Sequence, residues 1–183
     1  FMDGPEVSVE TLAIDREIHI IQITDKLTTG APYFVEMGHS QPSMLDDNTK
    51  GKIREVTIAA NKAIGIDCGP SHTEIIITKD GPKIVELGAR LGGDNITTYL
   101  VPLSTGVNMV ECCIRIALGE KPNITPKYNK GSAIRYLNTR EGIINAVKGI
   151  DEAETIPGVI EVMVNCSVGS KISEIRNSVD RVG

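Results

Sequence analysis

The segment 71–90 constrains the fold more than any other, because it has the pattern of a β-hairpin that carries two glutamates. Two runs rich in β-branched residues flank the turn-forming residues Lys79-Asp80-Gly81. A two-residue turn at Asp80-Gly81 is the commoner hairpin signal. That register would place Glu74 opposite Leu87 and leave both faces of the hairpin chemically mixed.

A three-residue loop over 79–81, with Gly81 in the left-handed conformation, gives a second register. It pairs Thr78 with Pro82, Ile76 with Ile84 and Glu74 with Glu86. One face then collects an almost wholly apolar set: Thr73, Ile75, Ile77, Val85, Leu87 and Ala89. The other face collects His72, Glu74, Glu86, Gly88 and Arg90, with Ile76 and Ile84 nearer the turn. Because a one-residue slip moves every side chain to the opposite face, this sorting favours the three-residue loop.

Glu74 and Glu86 would then face each other with Cβ atoms roughly 4.5–5.5 Å apart, where like charges are destabilising. The pair therefore requires a cation, and Mg²⁺ is usually held by one or two carboxylates together with substrate phosphates. Arg90, on the same face, can bind phosphate oxygens bidentately. An Arg90–Glu86 ion pair on a solvated surface stays open as the alternative. Gly92-Gly93, which lack side chains, would let a ligand approach the backbone, and an ordinary turn stays open as the alternative there.

The rest of the sequence predicts an α+β fold dominated by antiparallel hairpins. Residues 7–14 and 17–24 are β-rich runs joined by the polar turn Asp15-Arg16, and residues 25–43 are loop-like. A helix is predicted over 47–64, with cap candidates at 46–49. Its apolar stripe would be Ile53, Val56, Ala60, Ala63 and Ile64.

Two further helices are predicted at 96–103 and 107–118 from apolar residues at helical spacing. The stripe of the second would be Val107, Val110, Ile114, Ala117 and Leu118. A Lys/Pro/Asn/Gly-rich stretch at 119–130 is typical of a linker. Beyond it, short strands at 132–137 and 159–164 and a short helix near 151–154 are predicted.

Composition excludes several classes of function. Asp and Glu outnumber Lys and Arg by 24 to 19, so no basic surface for nucleic acid is expected. No apolar run approaches the roughly 20 residues that span a bilayer, and no signal peptide opens the sequence. The four cysteines lack Cys-x-x-Cys spacing, and Cys112 and Cys113 are interpreted as small core residues. We expect a cytoplasmic protein without nucleic-acid or membrane partners.

Three segments resemble the ATP-grasp superfamily, in the family's order: Phe1–Glu10, Gly69–Glu74 and Val85–Gly93. The resemblance implies that Phe1-Met2 is the interdomain hinge whose backbone meets adenine, so Met2 would bind the nucleotide. It also implies that Glu6 hydrogen-bonds the ribose hydroxyls.

The same resemblance implies that Glu74 and Glu86 bind Mg²⁺ or Mn²⁺ against the ATP phosphates. Arg90 would be the catalytic residue, stabilising the transferring phosphoryl group and the acyl phosphate. The hairpin register had already put these three side chains on one face.

The pattern Glu-x-Gly-x-Arg-x-Gly-Gly at 86–93 is more similar to the amino-acid ligase branch, since many other members have Asn at the position of Gly88. In that branch a Glu and a His three residues apart border the amino-acid pocket, which implies substrate binding by Glu36 and His39. Gly92 and Gly93 would let substrate approach the backbone. A surface glutamate and a loop-capping histidine stay open as the alternative for Glu36 and His39.

The segment from Gly131 onward is similar to the small C-terminal subdomain of biotin-carboxylase-like ATP-grasp enzymes. We therefore expect residues 1–121 to form the C-terminal half of an ATP-grasp domain and residues 122–183 to form a small, truncated α+β subdomain. Both ends fall where strands would be expected, so a longer protein is expected. Residues 1–183 alone should be inactive, because in this family the lysines that bind the ATP phosphates come from the preceding half-domain. Lys26 lies at a strand end and is interpreted as solvated.

The expected activity is the ATP- and Mg²⁺-dependent joining of a carboxylate and an amine, both amino acids, through an acyl phosphate. The alternatives are a carboxylase or carbamoyl-phosphate-synthase-like enzyme, a non-catalytic nucleotide- or metal-binding module, and an interaction domain without a ligand. The sequence leaves open which acid and amine are joined and whether the protein is a homodimer.

Overall fold

The computed structural model describes residues 1–183, which form two compact units. The first comprises residues 1–27 and 39–134, and the second comprises residues 28–38 and 135–183. The strands are β1 Glu6–Ile14, β2 Glu17–Thr28, β3 Glu36–Gln41, β4 Gly69–Thr78, β5 Gly81–Gly88, β6 Ser132–Arg135, β7 Gly142–Ile143 and β8 Lys171–Ile172. The helices are α1 Asp47–Ala63, α2 Val101–Thr105, α3 Met109–Ala117 and α4 Ile150–Glu154, with a π-helical turn at Ile96–Leu100 and a 3₁₀ turn at Ser178–Asp180.

Six strands form one sheet in the order β5-β4-β1-β2-β3-β6. The pairs β1–β2, β1–β4 and β4–β5 are antiparallel, which confirms the predicted α+β class. Asp15 and Arg16 form the predicted β1–β2 turn, with φ of 52° and 69°. Residues 25–43, predicted as a loop, instead contain the end of β2 and all of β3. Because Glu36–Gln41 lacks β-branched residues, pairing in the sheet and not local propensity makes it a strand.

Alternation along β1 gives the sheet two different faces. On one face Val7 and Val9 pack with Ile53 of α1 in a fully buried cluster. On the other face Leu12 packs in a second cluster with residues of α2 and α3. That second face is apolar around Leu12 and polar along the first half of β1, where it carries Glu6, Ser8 and Glu10.

The β4–β5 hairpin has the predicted Glu74–Glu86 pair but a different turn. Thr78 pairs with Gly81, so the turn is Lys79-Asp80, and the predicted Thr78–Pro82 and Ile76–Ile84 pairs are wrong. A register shift between Glu74 and Ile75 compensates for the shorter turn.

The residue left over by that shift is Val85, which forms a β-bulge. Val85 was predicted on the apolar face but is 46% exposed, whereas Ile84 packs against the core cluster around Ile75. The bulge therefore exchanges the roles of these two apolar residues and brings Glu86 back opposite Glu74.

Helix α1 begins at a predicted cap residue, since Asp46 Oδ1 accepts a hydrogen bond of 2.9 Å from Thr49 N. Its buried stripe is Ile53, Thr57 and Asn61, so the predicted stripe is wrong beyond Ile53, and Ile64 is 60% exposed. Polar residues are tolerated here because Thr57 Oγ1 donates to Ile53 O at 2.8 Å and Asn61 Nδ2 donates to Thr57 O at 2.9 Å.

Helices form in both predicted stretches, 96–103 and 107–118, but α3 begins at Met109 and turns a different face inward. Val110, Ile114 and Leu118 are 37%, 58% and 71% exposed, whereas the buried residues are Met109, Cys112 and Ile116. Both stripes are apolar at helical spacing, so periodicity could not choose between them. No single helix is long and apolar enough to cross a bilayer; 96–105 and 109–117 meet that test only together, and they are bent by 108°.

The first unit extends beyond residue 121, where the domain boundary was expected. Lys127 N donates to Thr105 O at 2.8 Å, and Ser132 Oγ donates to Leu100 O at 2.9 Å. These bonds attach the expected linker to α2 and the π-helical turn, so the unit ends at Ile134.

The second unit has its own small core. Val35, Met37 and Ile175 are buried together, and Tyr136 N donates to Met37 O at 3.0 Å. Helix α4 forms where it was predicted. Residues 159–164, predicted as a strand, have no regular secondary structure, so that prediction is wrong.

Candidate functional site

Polar side chains form rows that cross neighbouring strands on the polar face of the sheet. Glu86 of β5 pairs with Glu74 of β4, Glu74 pairs with Ser8 of β1, and Ser8 pairs with Thr24 of β2. Directly paired residues point to the same face. The register therefore gathers the two predicted metal ligands and their neighbours on one surface.

Lys26 lies between two of the acidic residues of this face. Its Nζ is 2.5 Å from Glu6 Oε1 and 3.2 Å from Glu74 Oε1, and its side chain is only 3% exposed. The lysine was interpreted as solvated, and that interpretation is wrong, because the β1–β2 register turns it inward beside Glu6. The role of Glu6 at the ribose stays a prediction; here its carboxylate contacts Lys26.

His72 connects a buried glutamate to the predicted metal ligand. Its Nδ1 is 2.6 Å from Glu10 Oε1 and its Nε2 is 3.4 Å from Glu74 Oε1. Burial alone would lower the pKa of His72, but hydrogen bonds and the charges of both glutamates raise it from 6.5 to about 9. The hydrogen bond from His72, aided by Lys26, lowers the pKa of Glu74 from 4.5 to about 2 despite burial. Glu74 is therefore a carboxylate at neutral pH.

Gly92 lies directly against the His72–Glu10 pair. A Cβ at this position would be 2.7 Å from His72 Nδ1 and 2.8 Å from both carboxylate oxygens of Glu10. The lack of a side chain at Gly92 is thus explained by contact with the protein's own residues. A Cβ at Gly93 would meet nothing within 4 Å, so open space lies beside that residue.

Glu86 and Arg90 form an ion pair at the outer edge of the same face. Arg90 Nη2 is 3.4 Å from Glu86 Oε1, and the side chains are 51% and 62% exposed. The alternative considered from the sequence, a solvated ion pair, is therefore present. Because both groups are exposed, the contact is weak and can be exchanged for a ligand.

The two predicted substrate residues of β3 differ in their surroundings. His39 is 2% exposed, and its Nε2 is 3.2 Å from Asp94 Oδ2. Glu36 begins β3 and belongs to the second unit, where its carbonyl oxygen accepts a bond of 3.0 Å from Arg181 Nη1. Residues three apart on a regular strand point to opposite faces. Their shared role in one pocket stays a prediction.

Met2 lies at the edge of the first unit beside the β4–β5 turn. A cleft of about 520 Å³ is lined there by Phe1, Met2, Asp3, Lys83 and the turn residues 78–80. Its size is in the range of small-molecule sites, roughly 300–1,000 Å³. The adenine contact of Met2 stays a prediction, and Met2 lines this cleft.

The residues of the polar face fit a magnesium–nucleotide complex by their chemistry. Glu74 and Glu86 supply hard oxygen ligands, while Lys26 and Arg90 supply positive charge for phosphates. No group of three or more His, Cys, Asp or Glu side chains could hold a metal. Two carboxylates suffice for Mg²⁺ when phosphates complete the coordination. Ser8 Oγ, between Glu74 and Thr24, is buried without a hydrogen-bond partner.

The inward positions of Lys26 and Glu10 on this face, and the contact of Asp94 with His39, were not predicted from the sequence. Alternation along β1 places Glu10 on one face with Glu6 and Ser8. The contact of Glu10 with His72, and that of Lys26 with Glu6, follow only from the strand pairing. Asp94 has a left-handed backbone with φ of 49°, and no motif marks it.

Family models match most of the chain. A model described as "ATP-grasp domain" matches residues 1–98, and one described as "L-amino acid ligase C-terminal domain 2" matches residues 135–183. The tail, expected to resemble biotin-carboxylase-like enzymes, thus matches a domain model from amino acid ligases.

Two relatives match different shares of this chain. An uncharacterized protein of Sinorhizobium fredii, y4rH, is 30% identical over 100% of this chain and 37% of its own length. An alanine–anticapsin ligase of Bacillus subtilis is 32% identical over 66% of this chain and 25% of the ligase.

Among solved structures, the L-amino acid ligase of Bacillus licheniformis has a TM-score of 0.84 at 30% identity, over 96% of this chain and 46% of the ligase. The chain spans less than half the length of each of these three relatives. The chain therefore belongs to the ATP-grasp family, and its C-terminal region matches the second C-terminal domain of L-amino acid ligases.

Proposed function

We propose that the protein carrying this sequence is an ATP- and Mg²⁺-dependent ligase that joins a carboxylate to an amine through an acyl phosphate, with amino acids as substrates. The observation that carries the proposal is the cross-strand Glu74–Glu86 pair with Lys26 and Arg90 beside it. The similarity to L-amino acid ligases supports the substrate class.

Each side chain of the pair has a distinct part in this proposal. Glu74, kept ionised by His72 and Lys26, and Glu86, at the exposed edge, would hold the divalent ion. When bound, the ion neutralises charge on the ATP phosphates. Arg90 can leave Glu86 and donate to oxygens of the transferring phosphoryl group, where negative charge develops.

The amino-acid substrate would lie beside Gly93 and His39 in this proposal. The open space at Gly93 lets a ligand approach the backbone. His39 is held by Asp94 on the loop that follows β5. Glu36 is retained as a proposed substrate residue on the strength of the family resemblance alone.

The test is phosphate release from ATP by the full-length protein with a panel of amino acids, alone and in pairs. Hydroxylamine is added in parallel, because it converts an acyl phosphate to a hydroxamate. We expect phosphate release that depends on amino acids and Mg²⁺, together with a hydroxamate. Release that responds to bicarbonate but to no amino acid would contradict the proposal and favour a carboxylase.

A further inference from the structure

We propose that His72 is a positioning residue that orients the carboxylate of Glu74 for the divalent ion, and that Glu10 and Gly92 hold His72 in place. The inference rests on the proposed function, because it concerns the same metal ligand. None of these three residues is expected to touch the metal or the phosphates.

The imidazole ring of His72 is fixed at both nitrogens. Glu10 lies directly opposite His72 on β1, and its Oε1 is 2.6 Å from Nδ1. Glu74 is two residues further along β4, so it shares the face of His72, and its Oε1 is 3.4 Å from Nε2. Rotation of the ring would break both contacts.

Gly92 closes this arrangement from above the sheet. Any Cβ at residue 92 would approach His72 Nδ1 and the Glu10 carboxylate to within 2.8 Å. The glycine backbone is itself held by Thr97 Oγ1, which donates to Gly92 O at 2.9 Å. The ring therefore cannot withdraw from Glu74 towards the loop, and the position of the metal ligand depends on a rigid, buried support.

Stability alone does not account for this arrangement. Glu10 is 0% exposed, and its Oε2 has no hydrogen-bond partner. A fully buried carboxylate with an unsatisfied oxygen is costly, and an apolar pair of similar volume would often be equal or better for folding. Residues that hydrogen-bond a metal ligand commonly contribute 10–100-fold to metal affinity. The His72–Glu10 pair, which is costly for folding, is explained if its role is to orient the carboxylate of Glu74.

The experiment uses His72→Gln and Gly92→Ala in the full-length protein. Free Mn²⁺ is measured by electron paramagnetic resonance during titration in the presence of ADP. We expect both variants to bind Mn²⁺ about 10–100-fold more weakly than the unsubstituted protein. For His72→Gln, saturating Mn²⁺ should restore most of the rate, and the KM for amino acids should stay within about twofold. The double variant should be far from additive, because both changes act on one ring.

Ser71→Ala is the matched control. Ser71 is the buried neighbour of His72 on β4, but it points to the other face, where its Oγ donates to Asn61 Oδ1 at 2.6 Å. This variant should lower the unfolding temperature without changing Mn²⁺ affinity. If His72→Gln does not fold, Gly92→Ala carries the test.

Two results would overturn the inference. Mn²⁺ affinity in His72→Gln and Gly92→Ala equal to that of Ser71→Ala, with normal binding by the unsubstituted protein, would reduce His72 to a structural role and leave the proposed function intact. If the unsubstituted protein binds no Mn²⁺–ADP, the proposed function fails and this inference fails with it.

Discussion

Glu74 and Glu86 lie opposite each other on adjacent strands, yet each carboxylate has a different cationic partner. Glu74 is 3.2 Å from the buried Lys26, and Glu86 is 3.4 Å from the exposed Arg90. The charges of the facing pair are thus offset by the protein's own cationic side chains. A divalent ion that binds both glutamates has to compete with Lys26, Arg90 and the protonated His72, and the exposed Arg90 is the easiest of the three to displace.

Arg90→Ala should lower ligase turnover by about 10²–10³-fold, because a group that stabilises developing charge on the phosphoryl group is removed. Steady-state phosphate release by the full-length protein measures the effect. The unfolding temperature should change little, since Arg90 is 51% exposed.

Arg115→Ala is the matched control for Arg90→Ala. Arg115 forms an exposed ion pair with Glu111 at 2.8 Å, with the same i,i+4 sequence spacing as Arg90 and Glu86, and a second ion pair with Glu120 at 2.9 Å. It lies on α3, whose buried residues pack around Leu12. Equal rates of phosphate release by the Arg90→Ala and Arg115→Ala variants would show that Arg90 does not take part in catalysis.

Lys26→Met should destabilise the metal-free protein by roughly 3–5 kcal/mol, because it removes one partner of a buried ion pair. Glu6 and Glu74 would then lose the ammonium group that contacts both carboxylates. Urea unfolding with EDTA and with Mg²⁺ measures the effect. Mg²⁺ should stabilise the variant more than the unsubstituted protein, because the ion replaces the missing charge.

Lys121→Met serves as the comparison for Lys26→Met, since Lys121 pairs with Asp15 in an exposed position. Its unfolding free energy should be nearly unchanged and should not respond to Mg²⁺. A Lys26→Met protein as stable as Lys121→Met in EDTA would contradict the electrostatic role given to Lys26.

The stability of the metal-free protein should fall as pH rises through the pKa of His72. Because the folded-state pKa of about 9 lies above 6.5, the contribution of His72 is fully present below about pH 6.5 and is lost through pH 9. Glu74 has the opposite sign: with a pKa lowered to about 2, its contribution is present above pH 4.5 and is lost as pH falls towards 2.

Urea unfolding of the unsubstituted protein and of His72→Gln, both in EDTA, measures the histidine part. The difference in unfolding free energy between the two should shrink between about pH 6.5 and 9. A difference that stays constant over that window would show that the Glu10 and Glu74 contacts do not stabilise the imidazolium.

Ile84→Ala should cost more stability than Val85→Ala, because the β-bulge turns Ile84 and not Val85 towards the core. We expect about 1–2 kcal/mol for Ile84→Ala and about 0.5 kcal/mol or less for Val85→Ala. Chemical unfolding of the two variants compares them. A larger loss for Val85→Ala would mean that the register predicted from sequence, without the bulge, is correct.

The pairing of Glu74 with Glu86 could be predicted from the sequence, because apolar and polar side chains separate onto opposite faces of the hairpin only in the register that pairs these two residues. The turn could not be predicted, because Ile84 and Val85 are both apolar. The bulge exchanges these two residues and leaves Glu86 paired with Glu74, so the polar pattern is the same with either turn. Helix α3 shows the same ambiguity, because Ile114 and Ile116 fit helical spacing equally well and only packing against Leu12 selects Ile116.

Lys26 and Glu10 were missed for a different reason. Their roles depend on which residues lie beside them on the next strand, and the β1–β2 pairing contains a register shift between Glu10 and Thr11. A lysine near the end of a strand is usually solvated. Only the cross-strand contact with Glu6 brings it into the site.

In the proposed function, Glu74 and Glu86 together bind one divalent ion. The most direct measurement is a crystal structure of the full-length protein with Mn²⁺ and a non-hydrolysable ATP analogue, with the metal located by its anomalous signal. We predict one Mn²⁺ bonded to carboxylate oxygens of both glutamates and to phosphate oxygens, with Arg90 released from Glu86. A Mn²⁺ bonded to neither glutamate, with Glu86 still paired to Arg90, would contradict the account.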